Sequence, residues 1–262
     1  MKVKQNGART LSRGLDILEL LAKAPHSMGV TELAESLELD KSTVHRLLTT
    51  LTKRGYARQD TRLRRYTLGA QALVLHDAFQ AQIGVQQLCR PLLREMTEFS
   101  GETSHLAILS GANIVFLDWI CTPEVMGVRT VVGRSEPIHC TALGKALLAA
   151  LPEEERKKLL QDIRLTAYTD KTPVTLAAVE KDLQVSIIRG WALDNEEFLL
   201  GVRCLAAVVL DSTGYPVAAL GISGPATRLT MPKCRKFGPQ IGIIARRASN
   251  LLGYRAPTAT EG

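Results

Sequence analysis

Lys41, Ser42, Thr43, His45 and Arg46 bring an ammonium, two short hydroxyls, an imidazole and a guanidinium into a run of six residues. Val44, Leu47, Leu48 and Leu51 recur among and after them at i, i+3, i+4 and i+7, which predicts a helix with one apolar stripe and the polar set on its other face. Such donors can reach both base edges and phosphates in a DNA major groove. Asp40 can accept from the unpaired amides of the first turn, and Gly55 stands where the helix should stop. Upstream, Glu32 to Leu37 predicts a short helix, with Glu38-Leu39-Asp40 as the turn between the two. Downstream, Tyr56 to Gln59 and Arg62 to Tyr66 predict two short strands around a polar tip at Asp60-Thr61, with Arg62, Arg64 and Arg65 placed to touch DNA. The stretch from Val30 to Tyr66 therefore reads as a winged helix-turn-helix.

The net positive charge is concentrated in the same region. Residues 1–66 hold five Lys and eight Arg against seven Asp or Glu, and so carry six of the chain's seven net positive charges. A chain that is basic in one module only has a local polyanion contact, not a generally adhesive surface.

A length of 262 residues suits two domains, and 45% hydrophobic with 23% charged residues is an ordinary globular composition. No apolar run approaches the ~18 residues of a membrane span, and the start from Met1 to Gly7 lacks the apolar centre of a secretory signal. Cys89, Cys121, Cys140, Cys204 and Cys234 are odd in number and contain no C-x-x-C, so a reducing cytoplasm fits better than a disulfide framework or a zinc ribbon.

Leu11 to Ala24 predicts an amphipathic helix with Leu11, Leu15, Leu18 and Leu21 or Ala22 on its inward stripe. Leu68 to Gln80 is apolar nearly all round, including Leu73, Val74, Leu75 and Phe79. A helix of that kind either lies in a core or pairs with a copy of itself, and its position between two domains points to pairing. From Gly84 the pattern is mixed: helix over Val85 to Phe99; strands over Thr103 to Leu109, Asn113 to Cys121 and Val128 to Val132; helices over Ala142 to Leu151, Pro152 to Gln161 and Leu176 to Arg189. An apolar hairpin of Cys204 to Asp211 and Tyr215 to Ile222 follows, then a closing helix over Met231 to Leu252 stopped by Gly253. The expected organisation is a DNA-binding domain over 1–67, a dimerising linker helix over 68–83, a mixed α and β domain over 84–255 and a disordered tail over 256–262.

Three ordered stretches carry a resemblance. They are Asp40 to Leu48 continuing to Gly55-Tyr56 and Tyr66 to Gly69; Pro137-Ile138-His139-Cys140-Thr141-Ala142-Leu143-Gly144-Lys145-Ala146; and Asp194 to Glu197 with Gly201 to Ala207 and Ala218 to Pro225. Together they resemble the isocitrate-lyase-regulator (IclR) family of bacterial transcription factors over nearly the whole chain. The resemblance implies an α+β chain: a winged helix-turn-helix, a linker helix that dimerises, and a GAF-like effector-binding domain. It places Ala142, Leu143, Asp194, Cys204, Gly221 and Ser223 around an effector. Two positions depart from the family pattern: Gly221 stands where Ser is common, and Val208 where Pro is frequent.

The residues themselves support an anion site. Thr141-Ala142-Leu143 open a helix, so their amides have no intrahelical partner and suit a carboxylate. At the place the resemblance gives it, Asp194 can accept a ligand hydroxyl, while Val128, Val202 and Cys204 would offer a carbon-facing wall. Without the resemblance, Asp194 also reads as a backbone cap, and Cys204 reads as core packing ahead of a ligand wall. A serine at 221 is expected to restore a donor and shift ligand choice.

No catalytic group is indicated. Gly221-Ile222-Ser223-Gly224-Pro225 has Pro where a nucleophile elbow needs its last Gly, and the chain has no P-loop, dinucleotide turn or H-E-x-x-H. His105, His139, Cys140 and Cys204 are residue types that zinc selects, but their spacing does not support a site, so no metal and no cofactor are expected. Asp118-Trp119 and Arg189-Gly190-Trp191 read as structural. The expectation is a cytoplasmic DNA-binding repressor, not an enzyme and without membrane contact. Its partners would be a palindromic double-stranded operator, a small carboxylate or sugar-acid metabolite, and further copies of itself as a homodimer or dimer of dimers. An enzyme with an accessory nucleic-acid module and a constitutive architectural DNA binder are the alternatives.

Overall fold

The computed structural model describes residues 9–255, in two compact units that meet between Ile83 and Gly84. The start from Met1 to Gly7 and the tail from Ala256 lie outside the described residues.

The first unit orders α1 (Arg9–Lys23), α2 (Val30–Ser36), α3 (Lys41–Lys53), β1 (Ala57–Asp60), β2 (Arg65–Leu68) and α4 (Gln71–Ile83). Val44, Leu47 and Leu48 are buried and Leu51 packs beside them, as the stripe on α3 predicts; Ile17, Leu21, Leu33 and Tyr66 complete the core. The stripe predicted on α1 holds at Leu21, with Leu18 half-buried, and fails at Leu11 and Leu15. Its inward face is Gly14, Ile17 and Leu21, while Leu11 and Leu15 are 65% and 50% exposed. The buried line passes through a glycine, which carries no hydropathy signal, so a stripe drawn through the leucines leaves that line in the first turns and rejoins it at Leu21. The two strands pair antiparallel from Ala57↔Leu68 to Asp60↔Arg65, and Met28 adds a bridge to Tyr66. Gly55 has φ 77°, ending α3 as expected. A Cβ at Gly69 would collide with the Gly55 carbonyl, so this glycine is what lets the hairpin's exit cross the end of α3.

Helix α4 starts at Gln71, not Leu68, because Leu68 still pairs with Ala57. Its Leu73, Val74 and Leu75 are 66%, 56% and 55% exposed, so they are not core residues of this chain. The Phe79 side chain lies outside the described residues.

In the second unit α5 (Val85–Ser100) leads into β3 (Thr103–Ser110), β4 (Asn113–Ile120) and β5 (Ser135–Pro137). Then come α6 (Ala142–Ala150), α7 (Glu153–Asp162), α8 (Leu176–Arg189), β6 (Ala192–Asn195), β7 (Val202–Leu210), β8 (Pro216–Pro225) and α9 (Met231–Leu251). The strands form one six-stranded sheet, ordered β5-β4-β3-β8-β7-β6 and antiparallel at every pair. Helix α6 rests on Ala107, Ala206 and Ala219, small residues that let its Leu143, Ala146 and Leu147 sit close to the sheet. Phe99 of α5 meets Phe237 of α9 edge-on at 5.5 Å.

Two sequence expectations fail here. Val128 to Val132 is not a strand: it is an unpaired loop, and β4 pairs with Ser135–Pro137 instead. Val131 and Val132 are exposed, so a β-branched run found no apolar surface to cover. The four-residue edge strand β6 was not expected, being too short and too polar to show a period.

Candidate functional site

Asp40 caps α3. Its Oδ1 accepts from the Thr43 amide at 2.8 Å and from Ser42 Oγ at 2.5 Å, and its Oδ2 accepts from Thr43 Oγ1 at 2.7 Å. These donors, the Ser42 hydroxyl first, hold the Asp40 carboxyl far below its ordinary range. Ser42 and Thr43 therefore turn their protons toward Asp40 and present lone pairs outward, suited to the amino groups of adenine or cytosine. Lys41, His45 and Arg46 are exposed on the same helix and supply the donors and the charge.

The wing differs in detail from the expectation. Its tip is Thr61–Arg64, shaped by Asp60 Oδ1 accepting from the amides of Arg62 and Leu63 at 2.9 and 3.0 Å. Arg62 and Arg64 are exposed at this tip. Arg65 lies in β2, with Nε donating to the Ser27 carbonyl at 2.8 Å and its guanidinium forked onto Glu32 at 2.8 and 3.1 Å. That fork fastens the start of α2 to the wing. Arg65, expected with Arg62 and Arg64 at DNA, is thus tied to Ser27 and Glu32 within the domain, whereas the other two are exposed at the tip.

In the second unit a cavity of about 320 Å³ opens at the N-terminus of α6. Ala142, Leu143, Asp194, Cys204 and Ser223, brought from sequence positions far apart, all line it. Sheet register makes the convergence: Asp194 stands opposite Cys204, Cys204 opposite Ser223, and Ser223 opposite Thr103, a polar row across four strands. Ser223 Oγ donates to Cys204 Sγ at 3.1 Å. Thr141 caps α6, accepting from the Gly144 amide at 3.2 Å and donating to the Pro137 carbonyl at 2.7 Å. The amides of Ala142 and Leu143 remain without an intrahelical acceptor. Val128 and Val202 also line the cavity.

Gly221 does not line it. It sits one row deeper, opposite Ala206 and His105, and a Cβ there would lie 2.5 Å from the Leu205 carbonyl oxygen and 3.2 Å from Leu143 Cδ2. A serine at this backbone position would clash before it could donate, so the expected gain of a ligand donor is withdrawn. The glycine is the floor on which Leu143 rests.

Asp194 is buried, and its Oδ1 accepts from the Glu197 amide at 2.7 Å. Burial, reinforced by the charge of Glu197, raises its pKa from 3.8 to about 7. Burial also raises the Cys204 thiol well above its ordinary range, so it stays protonated. Behind them lies a feature the sequence reading passed over. Lys145, in the otherwise apolar helix α6, is fully buried and donates to Glu197 Oε1 and Oε2 at 2.8 and 2.6 Å, and also to Asp182. Burial opposes its charge, yet Glu197 and Asp182 keep its pKa above the ordinary lysine value. A lone Lys inside Ala-Leu-Gly-Lys-Ala-Leu-Leu was the available signal. Also missed were Arg129, Arg134 and Glu136 on the cavity wall, the last two paired at 3.1 Å.

His139 Nε2 lies 3.1 Å from the Thr166 carbonyl, and no group of three His, Cys, Asp or Glu among the described residues is placed to hold a metal ion. Trp191 is buried, with Arg189 4.0 Å from its ring centre, and Asp118 pairs with Arg90 at 2.6 Å.

Comparison with known proteins agrees with this geometry. Residues 10–61 match the IclR helix-turn-helix domain, and residues 78–250 match the bacterial transcriptional regulator IclR C-terminal domain. The chain is 37% identical to the transcriptional repressor IclR of Escherichia coli K12 over 247 residues, covering 94% of this chain and 90% of that one. It is 36% identical to the acetate operon repressor of Salmonella typhimurium, again with 94% and 90% covered. The crystal structure of Thermotoga maritima IclR superposes with a TM-score of 0.74 at 27% identity, covering 95% of this chain and all of that one. The chain belongs to the IclR family and is a DNA-binding transcriptional regulator, not an enzyme.

Proposed function

We propose that this regulator is a cytoplasmic repressor that binds a near-palindromic operator as a homodimer or dimer of dimers, under the control of a small carboxylate or sugar acid held in the cavity of the second unit. The observation that carries the effector reading is the convergence of Ala142, Leu143, Asp194, Cys204 and Ser223 on one cavity beside an open helix N-terminus. The carboxylate rests on the amides of Ala142 and Leu143, and Asp194 and Ser223 meet the ligand's other oxygens. The relatives named as repressors support the sign of regulation. A calorimetric screen of short hydroxy acids and sugar acids tests the reading, and tight binding of only apolar or cationic compounds overturns it.

The DNA contact is assigned to Lys41, Ser42, Thr43, His45 and Arg46 of α3, with Arg62 and Arg64 of the wing. Replacing Arg46 with Ala is expected to weaken operator binding by about 1–3 kcal/mol and to flatten discrimination at one base position. Fluorescence anisotropy on operator and scrambled duplexes reads both effects. Equal affinity in Arg46→Ala and Thr43→Ala alike would mean that another face reads the DNA.

Dimerisation is assigned to α4, whose exposed Leu73, Val74 and Leu75 suit a second copy of the same helix. Two-fold symmetry in the protein imposes two-fold symmetry on the half-sites. Leu73→Asp with Leu75→Asp is expected to shift sedimentation toward the monomer and to weaken operator binding although α3 is untouched. A wild type that sediments as a monomer at micromolar concentration overturns the assignment.

A further inference from the structure

Five buried side-chain polar atoms among the described residues have no hydrogen-bond partner, and three of them, His105 Nδ1, His105 Nε2 and Thr130 Oγ1, belong to two residues that line the same cavity. His105 is 1% exposed and Thr130 6%. His105 projects from β3 in the row of Gly221, with Phe116 edge-on at 5.4 Å, and an aromatic edge cannot satisfy its nitrogens. Thr130 comes from the loop after β4. Buried polar groups in folded proteins are paired, because each one left unpaired is costly.

The chemistry of the two residues defines what would pair them. Burial lowers the His105 pKa to about 3, so the imidazole is neutral near pH 7. A neutral imidazole offers one donor and one acceptor, and a threonine hydroxyl offers both. A ligand group able both to donate and to accept can pair with this set whichever ring nitrogen carries the proton. A hydroxyl does so; a carboxylate or keto oxygen only accepts, and a methyl does neither. We propose that His105 and Thr130 form a hydroxyl-reading subsite, so that the effector is a hydroxy acid in preference to the corresponding unsubstituted acid. This rests on the carboxylate reading of the same cavity and adds to it the identity of the ligand's second polar group.

The test uses the full chain and matched pairs of probes: glycolate with acetate, lactate with propionate, and 3-hydroxybutyrate with butyrate, each titrated by calorimetry. For at least one pair the hydroxy acid is expected to bind roughly ten- to a hundredfold more tightly. His105→Leu and Thr130→Val should each move that ratio toward one. Independently of any variant, the ring ¹⁵N shifts of His105 in the unaltered protein should move with the hydroxy acid and stay in place with its unsubstituted partner. Absence of a hydroxyl preference, a preference unchanged in both variants, or His105 shifts that ignore the hydroxy acid would overturn the subsite and leave the carboxylate reading standing. Binding of none of the six acids and of none of the sugar acids in the wider screen would overturn both.

Discussion

Lys145→Met is expected to lower the free energy of unfolding by about 3–5 kcal/mol, because it removes the cation from a buried ion cluster and strands its carboxylates. The loss falls unevenly. The Asp182 side chain is 31% exposed and can recover water, whereas Glu197 is 11% exposed and cannot. Methionine fills most of the lysine's volume, so a cavity contributes little. The double variant Lys145→Met with Glu197→Gln should therefore recover a substantial part of the loss. Urea unfolding of the full chain followed by circular dichroism measures both. A single variant within about 1 kcal/mol of wild type would mean that the cluster does not hold Glu197 charged. Function enters through the same residue: the Glu197 amide fixes Asp194 at the cavity wall, so Lys145→Met should also weaken ligand binding.

What the sequence reveals divides along physical lines. The stripe Val44, Leu47, Leu48, Leu51, the cap at Asp40 and the stop at Gly55 are local features, decided within a turn or two of helix, and the structure bears them out. The fate of Arg65 is not local. Its partner Glu32 is 33 residues away, so a wing arginine and a clamp arginine look alike in sequence. The run Val128 to Val132 carries strand propensity, but propensity yields when no neighbouring strand or apolar layer is there to receive it. The effector positions came through the family resemblance, since no periodicity could place Asp194 beside Cys204 and Ser223; sheet register does that. Gly221 shows the limit of such transfer: a position was carried over without the backbone around it, and the backbone leaves no room for the side chain. His105 and Thr130 do not read as a pair in sequence, because their place on one cavity depends on a loop that reads as a strand.

Asp194→Ala is expected to abolish the response of operator binding to ligand, a coupling of about 1–3 kcal/mol in systems of this kind, while operator affinity without ligand persists. The reason lies in where the residue stands: it lines the cavity and belongs to the second unit, apart from α3 and the wing. Its ionisation makes the prediction sharper. The native pKa is raised from 3.8 to about 7, so the fold favours the protonated form. That contribution to stability is complete below about pH 4 and is lost as pH rises through about 7. Binding of an anionic ligand follows the same sign, because protonated Asp194 can donate to one of the ligand's other oxygens and ionised Asp194 repels the anion within the same cavity. Affinity for an anionic effector should therefore fall between pH 6.5 and 8.5, by at most about tenfold per pH unit for one linked proton. Of the other groups near the site, His105 titrates at about 3 and the Cys204 thiol well above its ordinary range. Lys145 is held charged, and Glu136 and Glu197 are raised by burial and paired with Arg134 and Lys145. Asp194→Asn separates these contributions: it keeps a donor, removes the titration, and should bind ligand with little dependence on pH over that window. Calorimetry in buffers of different ionisation enthalpy would register proton uptake by the wild type and none by Asp194→Asn. Equal slopes in the two proteins would place the linked proton on another group and remove Asp194 from contact with the ligand's charge.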